Sequence, residues 1–400
     1  MYIEKVIIKN IRSIRSLEMD FLKPKGWHVL IGDNGSGKTS ILRAIALTLM
    51  GKDAKSLRLN LRDYVHFEEK QKADIKLALI PSYLINTFIQ EDVDSPNNWL
   101  IFSTRSRRHI SFSTAFGPFR RFEGGNRDWE KLYTSNPKAA AHLSVFGEDV
   151  ALTEGIKWLI NLNYQRLEGN KEADNILGWL KGFINKSNLL PHNTQITDVS
   201  SDGVFVEDGN GQKVSIYEMS DGFRSILSMT FEILRLLIKQ FDSSIFIQDN
   251  DKILINAGGV ILIDEIDAHL HPSWQTRIGH WFTEYFPEMQ FIVTTHSPLI
   301  CRACEKGSIW RLATPGKEMP QIEEITGVEK ERLIYGNILD AYGTELFGRE
   351  AVRSTESNEK KERLGKLNIL YALGKITDEE EQERRKLQKI LTTDDPTGFE

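Results

Sequence analysis

Residues 32–39 read Gly-Asp-Asn-Gly-Ser-Gly-Lys-Thr, which fits the pattern of glycine, four variable residues, glycine, lysine and then serine or threonine. Glycines at these positions let backbone N–H groups turn inward around a phosphate, where a side chain would collide. We therefore expect a phosphate-binding loop with these nucleotide contacts: Gly32, Asn34, Gly35, Ser36, Gly37, Lys38, Thr39 and Ser40.

The segments on either side of this loop have the structure that it needs. Residues 27–31 form a short apolar run, which predicts a buried strand. From Thr39 onward, apolar residues recur at helical spacing as far as Gly51, so a helix N-terminus points at the same anion. Lys38 is then expected to reach the β- and γ-phosphates, and the Thr39 hydroxyl to hold Mg²⁺.

A second apolar run, residues 260–263, ends in two carboxylates. The first, Asp264, is expected near the metal ion, usually through water. The second, Glu265, can act as the general base that polarises the attacking water. Paired with a phosphate loop, this strand predicts nucleotide hydrolysis.

Three further segments narrow the class of nucleotide-binding protein. Residues 219–225, Met-Ser-Asp-Gly-Phe-Arg-Ser, precede an apolar helix, where Ser220 and Gly222 would form a second anion site. Residues 268–272 read Ala-His-Leu-His-Pro, and His296 follows the next predicted strand. Taken singly, these segments also fit a helix cap, a metal-binding histidine pair and a loop histidine.

In this order and spacing the segments resemble the ABC ATPase superfamily, on the branch of SMC, RecF and overcoming-lysogenization-defect proteins. The resemblance covers roughly residues 1–315 and implies an α/β head with a mixed, largely parallel sheet. It implies ATP and Mg²⁺ as ligands and a dimer that closes around ATP. Each pocket would then receive the signature motif, residues 219–225, from the second molecule.

The same resemblance assigns roles to other residues. Residues 268–272 take the place of the D-loop, and His296 that of the switch histidine that contacts the γ-phosphate. The opening Ile-Lys-Asn-Ile-Arg-Ser, residues 8–13, resembles the first strand and turn of the branch. It places Asn10 and Arg12 beside the nucleotide base.

Within the branch, residues 115–122 and 263–272 resemble stand-alone ATPases of prokaryotic antiviral systems, the PtuA type of Septu and related retron systems. The likeness implies an HNH nuclease of the PtuB kind as partner, and a homodimer or higher even oligomer. The chain departs from the superfamily at His271, where the D-loop has aspartate, and in a signature without the second glycine and glutamine of transporters. Gln90 is the nearest Q-loop candidate. These departures are compatible with slow hydrolysis.

The rest of the chain is organised around this head. Residues 52–218 are expected to form an inserted helical lobe, with strands near residues 75–80 and 99–102 and a β-hairpin over residues 204–216. Residues 316–400 are predicted to be a helical C-terminal extension, rich in Glu, Lys and Arg. This extension is either a solvated helical hairpin or a docking tail for a partner subunit.

The composition limits the classes of function. The 400 residues carry a net charge of −5 and are 40% apolar, which allows a large core and argues against non-specific coating of nucleic acid. No run approaches the roughly 20 apolar residues of a membrane-spanning helix. Cys301 and Cys304 are too few for a disulfide framework, so we expect a cytoplasmic protein with a buried, reduced pair. Zinc binding or redox chemistry is the alternative for that pair.

A group of five arginines is a candidate for contact with DNA. These residues flank two phenylalanines, Phe112 and Phe116, and could contact DNA phosphates, contact the nucleotide or face solvent: Arg105, Arg107, Arg108, Arg120 and Arg121.

Four functions compete. The first is an ATP-driven switch subunit that controls a partner nuclease in antiviral defence, and the second is a RecF-like repair ATPase that clamps DNA. A self-contained nuclease is disfavoured because no cluster of acidic residues on strands follows His296. A transporter motor is disfavoured by the signature sequence and by the His-Leu-His-Pro segment.

Overall fold

The computed structural model describes residues 1–66, 72–81, 83–91, 99–105, 112–120, 129–147, 152–190, 192–316, 321–336 and 355–391. The chain divides into two compact units, residues 1–336 and residues 337–400. Arg107, Arg108 and Arg121 lie outside the described residues. None of the helices in the described ranges is both long and apolar enough to cross a bilayer.

A six-stranded mixed sheet forms the centre of the first unit. Its order is β16-β15-β3-β14-β13-β7, and every neighbouring pair is parallel except β15 and β16. The middle strands β13 and β14 are buried along their whole length because both faces of a parallel sheet are covered. The strands are β3 Gly26–Ile31, β7 Ser113–Phe116, β13 Gly259–Ile263, β14 Met289–Thr295, β15 Ile309–Leu312 and β16 Ile322–Ile325.

A five-stranded antiparallel sheet, in the order β2-β1-β4-β5-β6, lies beside the central sheet. Strand β4 alternates buried and more exposed residues, as expected when one face of a sheet covers a core. Its strands are β1 Tyr2–Ile11, β2 Ile14–Asp20, β4 Lys72–Ile80, β5 Tyr83–Glu91 and β6 Trp99–Arg105. A smaller antiparallel sheet of three strands contains β8 Gln195–Ser200, β9 Gly203–Glu207 and β10 Lys213–Ser215. Another, of two strands, contains β11 Phe246–Asp249 and β12 Lys252–Ile255.

Helices cover the sheets. Helix α1, Lys38–Met50, shares one apolar core with buried residues of both larger sheets, which fixes its N-terminus relative to β3. The remaining helices of this unit are α2 Glu130–Ser135, α3 Pro137–Ala140, α4 Glu154–Leu167, α5 Lys171–Lys186, α6 Asp221–Phe241, α7 Pro272–Tyr285 and α8 Gly327–Tyr335. Short 3-10 turns span Gly51–Leu57, Leu61–Tyr64, Leu143–Val145, Ile216–Glu218, Asp242–Ile245 and Pro298–Ala303.

Residues 52–218 contribute to more than one layer. Strands β4, β5 and β6 extend the sheet that contains β1, while β7 forms the edge of the central sheet. Helices α4 and α5 follow, and the predicted hairpin is confirmed as β9 and β10. The strand at β16 belongs to the first unit because it pairs with β15.

The second unit contains two helices, α9 Thr355–Ala372 and α10 Asp378–Ile390. A capping box formed by Thr377 and Glu380 starts the second of these helices. Between the helices, Arg363 pairs with Glu383, and the Arg384 guanidinium lies 3.9 Å from the centre of the Tyr371 ring. The unit is therefore a charged helical hairpin, and its role as a docking tail stays a prediction.

Candidate functional site

The loop at residues 32–37 has a backbone that only glycine adopts easily. Gly35 and Gly37 have φ values of 77° and 102°, in the left-handed region, and α1 begins directly afterwards at Lys38. A Cβ on Gly32 would lie 2.9 Å from the Ser36 hydroxyl oxygen. The loop therefore brings backbone N–H groups and a helix N-terminus to one place, which is the arrangement that binds phosphate.

Lys38 lies across this loop. Its Nζ donates to the carbonyl oxygens of Gly32, at 2.7 Å, and Asp33, at 2.9 Å. Burial lowers the pKa of Lys38, and the carboxylates of Asp264, Glu265, Asp267 and Asp33 oppose that shift. The ammonium group is thus held where a phosphate on the loop would meet it.

The end of β13 places two carboxylates opposite the loop. Asp264 is buried, and its Oδ1 accepts hydrogen bonds from the Thr39 hydroxyl at 3.1 Å and the Thr294 hydroxyl at 2.6 Å. The hydroxyl and carboxylate oxygens of Thr39 and Asp264 are ligands that Mg²⁺ prefers, so this pair fits the predicted metal site. Glu265 follows with φ 47°, and its N–H donates to Thr294 at 2.7 Å.

The segment after β14 is tied to the same region. Asp267 accepts hydrogen bonds from the Thr295 hydroxyl at 2.5 Å and the His296 backbone N–H at 3.4 Å. These bonds fix the backbone of the predicted switch histidine. The sequence did not predict these hydrogen bonds of Thr294 and Asp267, although each residue is within two positions of a predicted site residue.

The signature segment lies at the start of α6. Ser220 is exposed and occupies the N-cap position, but its side chain makes no capping hydrogen bond. A Cβ on Gly222 would lie 2.8 Å from the carbonyl oxygen of His269, so this glycine permits close packing on residues 268–272. A groove of about 530 Å³ lies between the two segments and is lined by His192, Ser220, Gly222, Phe223, His269, Leu270, His271, Ser273, Trp274 and Arg277.

The histidines of residues 268–272 have local structural roles. His271 is the N-cap of α7, and its Nδ1 accepts from the Ser273 N–H at 3.3 Å. His269 has φ 66°, which turns the chain toward the helix. In the described part of the chain, no group of three or more His, Cys, Asp or Glu residues is arranged to hold a metal ion.

Asn10, at the end of β1, and Arg12, in the turn between β1 and β2, both have positive φ. Asn10 donates to the Lys72 carbonyl at 3.3 Å, and Arg12 donates to the Asp63 carbonyl at 3.1 Å. The turn packs against the phosphate loop, because a Cβ on Gly37 would lie 3.4 Å from the Ser13 hydroxyl. The turn is therefore close to the loop, which is compatible with contact to a nucleotide.

The structure also places three other features singled out from the sequence: Gln90, Arg120 and the cysteine pair. Gln90, the nearest Q-loop candidate, lies within β5 of the antiparallel sheet. Residues 117–120, by contrast, follow β7, the strand that pairs with β13 in the central sheet. Arg120 is buried and bonded to the end of β13, so the prediction that it contacts DNA, nucleotide or solvent is wrong. Cys301 and Cys304 are free and buried, and burial raises the pKa of both thiols, which disfavours thiolate chemistry.

Comparisons with known proteins agree with this geometry. Family models match residues 5–115, described as "AAA domain", and residues 141–302, described as "AAA domain, putative AbiEii toxin, Type IV TA system". The Septu protein PtuA of Bacillus mycoides is 26% identical over 77% of this chain and 40% of its own length. The Septu protein PtuA of Bacillus thuringiensis is 24% identical over 76% of this chain and 74% of its own. The Retron Ec83 probable ATPase of Escherichia coli is 37% identical over 27% of this chain and 18% of its own.

The fold has a match among solved structures. An SMC head, solved with the C-terminal winged-helix domain of ScpA, superposes with a TM-score of 0.50 at 17% identity. The match covers 83% of this chain and all of that one. The chain therefore has the fold of an SMC head. This is the α/β fold that the sequence predicted, and the chain spans less than half the length of the Bacillus mycoides PtuA.

Proposed function

We propose that this SMC/RecF-type head is an ATP-binding and hydrolysing switch subunit that dimerises around ATP. The observation that carries the proposal is the exposed Ser220–Gly222 turn. This turn begins a helix of 21 residues, α6, and its serine hydroxyl is not used as a cap. A helix N-terminus with a serine hydroxyl is an anion site, and a second molecule can supply the anion as the γ-phosphate of its ATP.

In this proposal the two halves of the pocket have separate tasks. The loop amides and Lys38 bind the β- and γ-phosphates, while Thr39 and Asp264 would hold Mg²⁺, which neutralises phosphate charge when bound. Glu265 polarises the attacking water, and His296 contacts the γ-phosphate. ATP stabilises the dimer because the second molecule binds the triphosphate and not the diphosphate, so hydrolysis shifts the population toward open molecules.

We further propose that the switch serves antiviral defence by controlling a partner nuclease of the HNH type. The support is the likeness to two proteins named Septu protein PtuA and to a retron ATPase. The alternative is a RecF-like ATPase that clamps DNA. Its support is a 70-residue likeness, 37% identical, to the DNA replication and repair protein RecF of Mannheimia succiniciproducens.

Ser220→Arg is expected to abolish ATP-dependent dimerisation and to leave ATP binding by the monomer intact. The long side chain would fill the space meant for the second molecule's phosphate. Light scattering with ATP measures the dimer, and calorimetric titration measures ATP binding. Ser201→Arg, at an exposed serine in the β8–β9 turn, is the matched control and should dimerise normally. Equal dimerisation by the two variants would contradict the shared site.

Co-purification from native cells should distinguish the two functions. The switch proposal predicts that an HNH nuclease is recovered with the chain and that its yield depends on ATP. The alternative predicts recovered DNA, and binding of purified protein to DNA that weakens steeply with salt. Salt-sensitive DNA binding without any nuclease would favour the RecF-like function over the switch.

A further inference from the structure

Arg120 joins the signature helix to the end of strand β13 in the interior of the head. Its Nε donates to the Ser225 hydroxyl on α6 at 2.9 Å. On the other side, Nη1 donates to the Asp264 carbonyl at 2.8 Å and Nη2 to the Glu265 carbonyl at 2.9 Å. One rigid guanidinium therefore contacts both the helix that carries Ser220 and the backbone of the two predicted catalytic carboxylates.

The segment that carries Arg120 is held in place independently. The Phe116 carbonyl accepts from the Asp264 N–H at 2.8 Å, which continues the pairing of β7 with β13. Gly117 donates to the Ser144 hydroxyl at 3.0 Å, and a Cβ there would lie 2.2 Å from the Ser144 carbonyl oxygen. Arg120 also donates to the Gly117 carbonyl at 2.9 Å, so its side chain is anchored to the segment that carries it.

The buried charge of Arg120 is compensated locally. Burial lowers the pKa of its guanidinium to about 10, while the carboxylates of Asp264, Asp267 and Glu265 oppose the shift. The group therefore stays protonated at neutral pH. Burying a cation costs desolvation free energy even when carbonyl and serine acceptors compensate it, so stability alone does not account for an arginine at this position.

We propose that Arg120 is a positioning residue that couples the Ser220–Gly222 turn to Glu265 within one molecule. The proposal rests on the dimerising ATPase proposed above. Ser225 is five residues from Ser220, about 7.5 Å along a helix that moves as one body. If α6 shifts when its N-terminal turn binds the second molecule's phosphate, Ser225 would shift with it and displace the Arg120 guanidinium.

The backbone of Glu265 is placed to respond to such a displacement of Arg120. Glu265 has φ 47°, a conformation that a residue with a side chain keeps only when its surroundings enforce it. Arg120 and Thr294 hold the backbone of Glu265 from its carbonyl and its N–H respectively. The direction of the Glu265 carboxylate therefore depends on the Arg120 contact. Binding of the Ser220–Gly222 turn to the second molecule's ATP would then orient Glu265 in the first molecule's own pocket.

Ser225→Ala tests the link with the smallest change. We expect kcat for ATP to fall about 10-fold, since a hydrogen bond from a charged group is lost and the base is misplaced. The Michaelis constant should stay within about 2-fold, and the Hill coefficient for ATP should fall toward 1. The matched control is Ser228→Ala, which removes a buried hydroxyl on the same helix that bonds only to the Ser225 carbonyl among the described contacts.

Ser228→Ala is expected to keep both kcat and the Hill coefficient of the unaltered protein. If the two alanine variants behave alike, whether both are active or both are slow, the coupling role of Arg120 is refuted. Arg120→Lys gives a second measurement, in which the charge is kept and the fork is lost. Its kcat should fall as in Ser225→Ala, and full activity would also refute the role.

The same experiments separate this inference from the proposed function. If the unaltered protein forms an ATP-dependent dimer and Ser225→Ala retains its kcat and Hill coefficient, only the coupling is wrong. If the unaltered protein forms no dimer with ATP, the proposed function itself is wrong.

Discussion

Glu265→Gln is expected to bind ATP and to remain in a closed dimer, with turnover lowered by a factor of about 10² to 10⁴, the range contributed by a general base. Glutamine keeps the size of the side chain and cannot accept a proton from water. The backbone contacts of Glu265 with Thr294 and Arg120 do not involve its carboxylate, so the site should stay assembled. The triphosphate would then persist between the molecules and hold them together.

Light scattering coupled to size-exclusion chromatography measures this outcome, and the nucleotide content of the dimer fraction should be ATP rather than ADP. Glu284→Gln is the matched control, because it makes the same chemical change at an exposed carboxylate that pairs with Lys252. The control should hydrolyse ATP and dimerise only transiently. No ATP-dependent increase in mass for Glu265→Gln would rule out the dimer mechanism for this chain.

The sequence was informative where function depends on short, contiguous segments. The loop at residues 32–39, its flanking strand and its helix follow from local rules, because glycine geometry and helical spacing are properties of neighbouring residues. The same holds for β13 with its terminal carboxylates, and for the start of α6 at Asp221. The order of these segments along the chain was enough to predict the α/β fold.

Other parts depend on contacts between distant residues. Arg120 looked like a surface cation because it stands in a basic, aromatic stretch, yet it is bonded to a helix 105 residues away and a strand end 144 residues away. Thr294 lies two residues before the predicted switch histidine, but its bonds to Asp264 and Glu265 arise only when β13 and β14 pair in parallel. Such roles become visible only once the register of the sheet is known.

Lys38→Ala is expected to weaken ATP binding at least about 100-fold, because two or more charged hydrogen bonds to phosphate are worth roughly 3 kcal/mol or more. The ammonium group is well placed for this role. It donates hydrogen bonds to the carbonyls of Gly32 and Asp33, within the loop that is expected to bind the phosphates. Without it, the loop loses its only full positive charge among the described residues 32–39.

Thermal unfolding with and without ATP distinguishes loss of binding from loss of fold. Burial lowers the pKa of Lys38, so the fold holds this ammonium group at a cost, and alanine should leave the midpoint without ATP close to that of the unaltered protein. The rise in midpoint that ATP produces by binding the folded state should disappear in the variant. Lys52→Ala, at an exposed lysine just after α1, should keep that rise. A Lys38→Ala protein stabilised by ATP as strongly as this control would show that the triphosphate binds elsewhere.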